Sequence, residues 1–434
     1  MQGIALPALE KRLKARYLTL VQAHMHSVPK LAAGVASLPS VASAFAATQA
    51  AWRFFGNDRV SLAALVEPLR AVGRERLATT EAPFALLVHD WSKLSFASAA
   101  SKRDLVQLTH ASDIGYELTA ALLVSGDDGS PLAPMEIHLK TAAGVLSTRR
   151  RTPKDKPHLD QVLPTMKAVR DWGLAKPLVH VIDREADSVD HYRQWDRARH
   201  RFLVRGDDRR VKWQGRSCLL SAIRDELRSR QTFRFVAMVP YHDTTAQLWV
   251  AETPVILYRP AKKSEKGQKY QRAGRPLPLR YIVVQLRDTA GLVLAEWMLL
   301  SNVPPAWATA EKLAFCYYWR WRVESFFKLL KSHGQHLEQW QQESGPAIAR
   351  RLLVSAMACV VVWSLQADRS PEAEELKTIL VRLSGRQTKR SQPHTAPALL
   401  AGLWVLLSML ALLEHCDLDR LKALASRITY RGTG

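Results

Sequence analysis

Cysteine is scarce in this chain. Four occur in 434 residues, Cys218, Cys316, Cys359 and Cys416, far apart and with no Cys-x-x-Cys pair. That excludes a paired-thiolate zinc site and a disulfide-dense secreted scaffold, and it fits a reducing cytosol. Negative charge is also short: 40 Asp+Glu stand against 62 Lys+Arg, a formal +22 at pH 7. Folding alone does not call for such an excess, so it points to a polyanionic partner, nucleic acid or an anionic membrane. The first residues carry Glu10, Lys11, Arg12 and Lys14 and lack an apolar signal core, so secretion is not expected. There is no internal repeat and no low-complexity tract.

Long apolar runs are few. Ala396–Leu413 is 18 residues without a formal charge, just short of the roughly 20 needed to span a bilayer. It contains Pro397, Gly402 and Ser408 and runs into Glu414 and Asp417. A buried or partner-facing helix is the better reading than a membrane span, and Leu352–Leu365 reads as a core helix by the same test.

What is present suffices for a large core: 47% of residues are hydrophobic, and this length suits two or three domains better than one. Residues 1–75 read as helices, with an amphipathic pattern over Glu10–Met25, a second helix over Val41–Phe55 and a third over Ser61–Val72 that Ser61 can cap. Beyond Pro83 the pattern turns strand-like at Phe84–His89, Tyr116–Val124 and Leu132–Leu139, with the turn Gly126-Asp127-Asp128-Gly129 before the last. A helix over Leu159–Trp172, a strand at Leu178–Ile182, a helix over Ala186–Arg199 and a strand at Arg201–Arg205 follow. Strands in series and then alternation predict a mixed α/β sheet with helices on its faces. Residues 206–303 break the rhythm as a β-rich insertion, with strands at Thr232–Val239, Gln247–Tyr258, Arg280–Leu286 and Leu292–Leu300. Inside it, the loop Arg259–Arg280 has eight Lys/Arg against Glu265 alone. A solvated loop is the default for such a run, but one dominant sign favours a phosphate-facing surface. Helical sequence resumes at Pro305, with a loop at Ser384–Pro397.

Three acidic residues stand out by position. Asp90 and Asp183 each end a short apolar strand, where an α/β sheet holds side chains firmly; either alone would more often be a turn or cap residue. The third lies in one helix over Ala314–Lys331. There Tyr317, Arg320, Glu324, Lys328 and Lys331 fall within an arc of about 80°, beside an apolar face of Trp319, Val323, Phe326, Phe327 and Leu330. Periodicity alone leaves a solvated ion-pair ladder open. The chemistry suggests more, since two Asp and a Glu can hold two divalent cations about 3.5–4 Å apart for phosphodiester cleavage. Oxygen-only ligands suit Mg²⁺, or Mn²⁺ in its place.

These residues resemble the DDE transposases of the insertion-sequence-four group, close in pattern to the transposase of transposon five. The family's signature helix looks like Y-x2-R-x3-E-x6-K, and Tyr317, Arg320, Glu324 and Lys331 keep every spacing, with Lys328 in the last gap. Val181–Asp187 resembles the segment of the second aspartate and His89–Phe96 that of the first. The resemblance runs from about Trp52 to Trp340. It implies a ribonuclease-H-like catalytic core (76–385) interrupted by the insertion, between a helical DNA-binding domain (1–75) and a helical C-terminal region (386–434). Asp90, Asp183 and Glu324 would be catalytic metal ligands. Tyr317, Arg320, Lys328 and Lys331 would hold and position the DNA backbone. Trp297 resembles a tryptophan that stacks on a flipped base, with an ordinary core tryptophan as the open alternative; Arg205 and Arg53 resemble DNA-contacting arginines.

The implied activity is cut-and-paste transposition. Metal-activated water nicks each transposon end, the freed 3′-OH attacks the opposite strand to form a hairpin, a second water opens it, and the 3′-OH joins target DNA. The implied partners are double-stranded DNA, terminal repeats and target alike, and a second copy of the chain; no membrane is expected, and the location is the cytoplasm, on the bacterial nucleoid. The chain departs from the pattern at Trp91, where the family has threonine, and at Gly56, where it has arginine. Its C-terminal region is shorter, which makes the apolar helix Leu399–Leu413, continuing through Leu418–Ala425, a candidate dimer contact, with core packing as its alternative. Two other classes stay open: an inactive or domesticated DNA-binding protein that blocks transposition, and a membrane-associated basic protein resting on Ala396–Leu413.

Overall fold

The computed structural model describes residues 5–26, 41–96, 101–149, 158–242, 244–265, 268–386 and 394–429. Three helices come first, α1 (Lys11–His26), α2 (Val41–Gly56) and α3 (Leu62–Ala78). The spacing read in α1 turns Tyr17, Leu20 and Val21 inward, all buried. Ser61 caps α3, its Oγ accepting from the Ala64 amide at 3.1 Å, which satisfies one of the amides a helix start leaves open.

Strands β1 (Ala85–Ser95), β2 (Val106–Gln107), β3 (Ile114–Val124), β4 (Pro131–Thr141) and β5 (Gly144–Ser147) follow. Then come α4 (His158–Ala168), β6 (Leu178–Ile182), α5 (Val189–Arg197) and β7 (Arg201–Arg205). β6 and β7 have the bounds their apolar runs predict. β1 does not stop at His89. It continues through Asp90 to Ser95, paired with β3 along its whole length, so Asp90 lies within a strand where the sequence suggested an end. The reason is that only residues 85–89 are buried on both sides; the exposed half of the strand carries polar residues that hide its period.

The insertion supplies β8 (Arg210–Trp213), β9 (Arg216–Leu219), a helix α6 (Leu220–Ser229), β10 (Arg234–Tyr241), β11 (Thr244–Leu257), β12 (Ala261–Glu265), β13 (Gln268–Arg272), β14 (Leu277–Arg287) and β15 (Val293–Ser301). Most of these strands join the same sheet. Its order is β5-β4-β3-β1-β6-β7-β15-β14-β11-β8-β9, with β2 beside β3 and β10 beside β11. β4, β3 and β1 are antiparallel neighbours, β1, β6 and β7 are parallel, and β15 closes antiparallel on β7. The basic stretch is not a plain loop: β12 and β13 form a separate two-stranded hairpin. Arg280 lies outside it, within β14 and paired with Glu252.

Helices α7 (Ala310–Tyr318), α8 (Trp321–Leu330), α9 (Gly345–Ala367), α10 (Pro371–Leu383), α11 (Ala396–Leu413) and α12 (Leu418–Thr429) complete the chain. The single helix expected over Ala314–Lys331 is two. Around Trp319 the backbone tightens into three-residue hydrogen bonds, from Arg320 to Tyr317, from Arg322 to Trp319 and from Val323 to Arg320. The Trp319 ring lies against Gly129, where a Cβ would stand 2.2 Å from the ring. Among the described residues, two helices are long and apolar enough to cross a membrane. In α9, 83% of the qualifying window is buried within the protein, the core helix the sequence suggested; in α11 only 22% is. One buried cluster runs from Tyr17 in α1 through the sheet to Leu352 in α9 and Leu399 in α11, so the terminal helices share the core of the sheet.

Candidate active site

Parallel pairing sets His89 of β1 opposite Ile182 of β6, so the residues that follow, Asp90 and Asp183, emerge side by side. Glu324 arrives from the first turn of α8. All three carboxylates converge on one guanidinium. Arg320 Nη1 donates to Asp90 Oδ2 at 3.0 Å, and Nη2 donates to Glu324 Oε1 at 2.8 Å and stands 3.4 Å from Asp183 Oδ2. The break between α7 and α8 makes this possible: on a continuous helix Arg320 would share the outer stripe with Glu324, whereas here it is 5% exposed.

Each carboxylate has further partners. Asp90 Oδ1 accepts from the Trp91 amide at 2.8 Å. Asp183 Oδ1 accepts from the Arg184 amide at 2.7 Å and from the Tyr317 hydroxyl at 2.9 Å, with Arg205 Nη1 at 4.0 Å. Burial pushes the Asp90 carboxyl up to about 6 against the opposing pull of Arg320 and the Trp91 amide. Burial would raise Asp183 too, but Arg320, the Arg184 amide and Tyr317 outweigh it and hold Asp183 below the usual carboxylate range. Two neighbouring carboxylates pushed in opposite directions mark a functional site more often than a structural one.

The acidic side chains are 15%, 32% and 43% exposed for Asp90, Asp183 and Glu324, so the trio opens onto solvent. It lines a cleft of about 560 Å³ together with Trp91, Ser92, Arg320, Phe327, Lys328, Lys331, Ser332 and Glu338. Lys328 projects from α8, exposed. Lys331 caps the end of α8 and donates to the Lys93 carbonyl at 2.7 Å, 3.3 Å from Glu338. Asp104 lies outside the cleft, accepting from Tyr116 and the Gly345 amide.

Two predicted residues lie apart from the trio. Trp297 on β15 is 6% exposed, its ring 5.3 Å from Tyr317 and 6.2 Å from Trp321 between ring centroids. A base could reach it only after one of those rings moves. Arg53 is exposed on α2 and lines a separate groove with Arg12, Arg16, Thr19 and Asn57 between α1 and α2.

Behind the cleft-lining Trp91 lies a group of residues that sequence reasoning missed. Trp91 donates through Nε1 to Glu185 at 2.9 Å and stacks on His158 with centroids 4.1 Å apart; His158 in turn pairs with Glu117 at 3.1 Å. Burial would raise Glu117, but the hydrogen bond and charge of His158 hold it below its ordinary value. Glu185, two residues beyond Asp183, was the one available signal; His158 and Glu117 carry none.

The donor set fits a divalent metal by type, since hard oxygen ligands from three elements surround a single cationic group. Their spacing is that of a guanidinium complex: among the described residues no group of three acidic, histidine or cysteine side chains is close enough to hold a metal ion as it stands.

Where β1 and β6 part, three carboxylates line an open cleft in a basic protein, with the donor types that suit a divalent cation and the charge that suits a polyanion. Residues 137–361 match the family model described as "Transposase DDE domain". That span is more than half of the chain, which therefore belongs to the DDE transposases, enzymes of DNA transposition that use divalent metal ions. Asp183 and Glu324 lie within the matched region and Asp90 precedes it. No curated protein matches the chain. Among solved structures, a cryo-EM piggyBac transposase synaptic complex with hairpin DNA is similar, at 10% identity and a TM-score of 0.37, over 97% of this chain and 76% of that one. That likeness is too distant to bear on residue roles.

Proposed function

We propose that the protein is a cut-and-paste transposase of the insertion-sequence-four type that cleaves and joins DNA at transposon ends through a hairpin intermediate. The observation that carries this reading is the convergence of Asp90, Asp183 and Glu324 on one cationic centre at the mouth of a cleft flanked by Lys328 and Lys331. The strand order β4-β3-β1-β6-β7, antiparallel and then parallel, supports a ribonuclease-H-like core. Asp90, Asp183 and Glu324 would hold the divalent cations. Mg²⁺ bound there, or Mn²⁺ in its place, supplies Lewis acidity to the attacking and leaving oxygens.

Tyr317 orients Asp183 through its hydroxyl, Lys328 and Lys331 grip the phosphates beside the scissile bond, and Arg205 approaches from the Asp183 side. The groove around Arg53 takes a more distant stretch of the terminal repeat. One strand is nicked at each end, the 3′-OH closes a hairpin on the opposite strand, and the reopened end is joined to target DNA. Two ends must meet, so the working form is at least a dimer, on the nucleoid in the cytoplasm. The exposed apolar residues Val405, Met409, Leu410 and Leu413 of α11 supply its contact.

Asp183→Ala tests the assignment. It is expected to bind terminal-repeat DNA with affinity within about threefold of wild type, roughly 0.7 kcal/mol, and to lose nicking below detection. Residual cleavage by Asp183→Ala places the metal on other carboxylates.

A further inference from the structure

Arg320 occupies the space that a metal ion would need. Its two terminal nitrogens stand 2.8 to 3.4 Å from oxygens of all three carboxylates, whereas a Mg²⁺ ion sits about 2.0–2.1 Å from its oxygen ligands in the same region. A guanidinium and a dication cannot both lie among three carboxylates, because the volume is shared and the charges repel. Without any cation, the mostly buried Asp90 would face Asp183 and Glu324 uncompensated, a costly arrangement. Besides the carboxylates, the Arg320 guanidinium meets the Tyr317 ring, 5.7 Å from its centroid. Its Nε is buried and has no hydrogen-bond partner, so the guanidinium is fastened by its two terminal nitrogens, both of them on the carboxylates.

We propose that Arg320 is an internal place-holder cation: it keeps the three carboxylates assembled in the metal-free protein and leaves them for a DNA phosphate when divalent metal enters. This rests on the metal-site reading above and adds a coupling to it. A phosphate in the cleft offers the planar guanidinium a bidentate acceptor. DNA therefore raises metal affinity, and by linkage metal raises DNA affinity by the same factor. A cleft loaded with Arg320 binds metal weakly and does not cut, which confines chemistry to the assembled end complex. Arg320 acts through the ligands, so it is a positioning residue.

The test measures Mn²⁺ binding to the full-length protein without DNA, from the loss of the free Mn²⁺ resonance signal, for wild type, Arg320→Gln, Arg320→Lys and Asp183→Asn. Arg320→Gln is expected to bind Mn²⁺ at least about tenfold more tightly than wild type, the effect of removing one opposing charge worth about 1.4 kcal/mol. Arg320→Lys keeps the charge and is expected to stay near wild type. In parallel, thermal melting in EDTA should be lower for Arg320→Gln than for wild type, and added Mn²⁺ should raise it more. Should Arg320→Gln fail to fold, wild type alone decides: a short duplex carrying a terminal repeat should tighten Mn²⁺ binding by a similar factor. Equal Mn²⁺ affinity in wild type and Arg320→Gln, or an unchanged affinity on adding the duplex, overturns the place-holder while leaving the metal site intact. Absence of Mn²⁺ binding in every form with and without duplex, Asp183→Asn equalling wild type, overturns the metal site and the place-holder together.

Discussion

Trp297 has two demands on it that one substitution can separate. Its ring fills the space between β15 and the α7–α8 turn, so Trp297→Ala is expected to lower stability by about 3–5 kcal/mol, as removal of a buried aromatic does. If the ring also receives a flipped base, the variant nicks normally at a temperature where it is folded yet accumulates less hairpin from a pre-nicked end. Base stacking of about 1–3 kcal/mol sets that deficit at roughly 5- to 150-fold. Wild-type hairpin yield with lowered stability makes Trp297 a core residue only. At this scale the two aspartates were legible because each follows a short run of buried apolar residues, and Glu324 because its spacing to Tyr317 and Lys331 is intact. Arg320 was visible as a residue but not as the centre of the site. Helical periodicity assumes an unbroken helix, and the turn at Trp319 depends on its contact with Gly129, 190 residues earlier in the chain.

Elements with a strong period were read nearly as they stand. Strands β6 and β7 are short, apolar and parallel, buried on both faces, which leaves little ambiguity about their ends. The basic stretch shows the opposite case. Its charges suggested a loop, yet β12 and β13 pair from Ala261 with Arg272 to Glu265 with Gln268, because backbone pairing does not need apolar side chains. The base of this hairpin is braced by Arg193, which donates to the Arg259 and Arg275 carbonyls at 3.0 Å each. Deleting residues 261–272 rejoins neighbouring chain ends and spares the Arg280–Glu252 pair. The deletion removes five Lys/Arg and is expected to weaken DNA binding and to reduce the slope of log K against log salt by up to about 4.5, at about 0.9 for each phosphate no longer neutralised. An unaltered slope, measured by fluorescence anisotropy over a salt series, makes the hairpin a solvated ornament that does not touch DNA.

Two buried clusters hold the molecule, the larger taking in helices from both ends, and several titratable groups are buried with them. His24 donates to the Leu20 carbonyl at 2.7 Å and accepts from Arg351 at 3.3 Å, so it must stay neutral. Burial, with the Arg351 charge adding to it, holds its imidazole at about 3; His89 is likewise held at about 3 by burial, and His180 is pushed well down by burial and by His89. A depressed histidine binds fewer protons folded than unfolded, so stability falls as pH drops through 6.5 toward 3, by at most about 1.4 kcal/mol per pH unit for each group. Glu136, held at about 2 by His138 and Arg149 against its burial, adds a further loss between pH 4.5 and 2. Urea midpoints are expected to be flat from pH 8 to 7 and to fall below 6.5, with His24→Gln flattening part of the fall; an identical slope in that variant removes His24 from the account. Little of this was readable in the sequence, because His89 and His180 lie on separate strands and meet only through the pairing of β1 with β6, while His24 meets Arg351 only in the folded chain.

The central claim is that the three carboxylates cut and rejoin DNA ends. Its most direct test incubates the purified protein with DNA carrying the repeats that flank its own gene, in Mg²⁺ and in EDTA, and resolves the products on a denaturing gel. Nicks at the repeat boundary and slow-migrating hairpins in Mg²⁺ only are the predicted result. Binding without cleavage in both Mg²⁺ and Mn²⁺ would contradict it, leaving an inactive DNA-binding protein and directing attention to Trp91 beside the first aspartate.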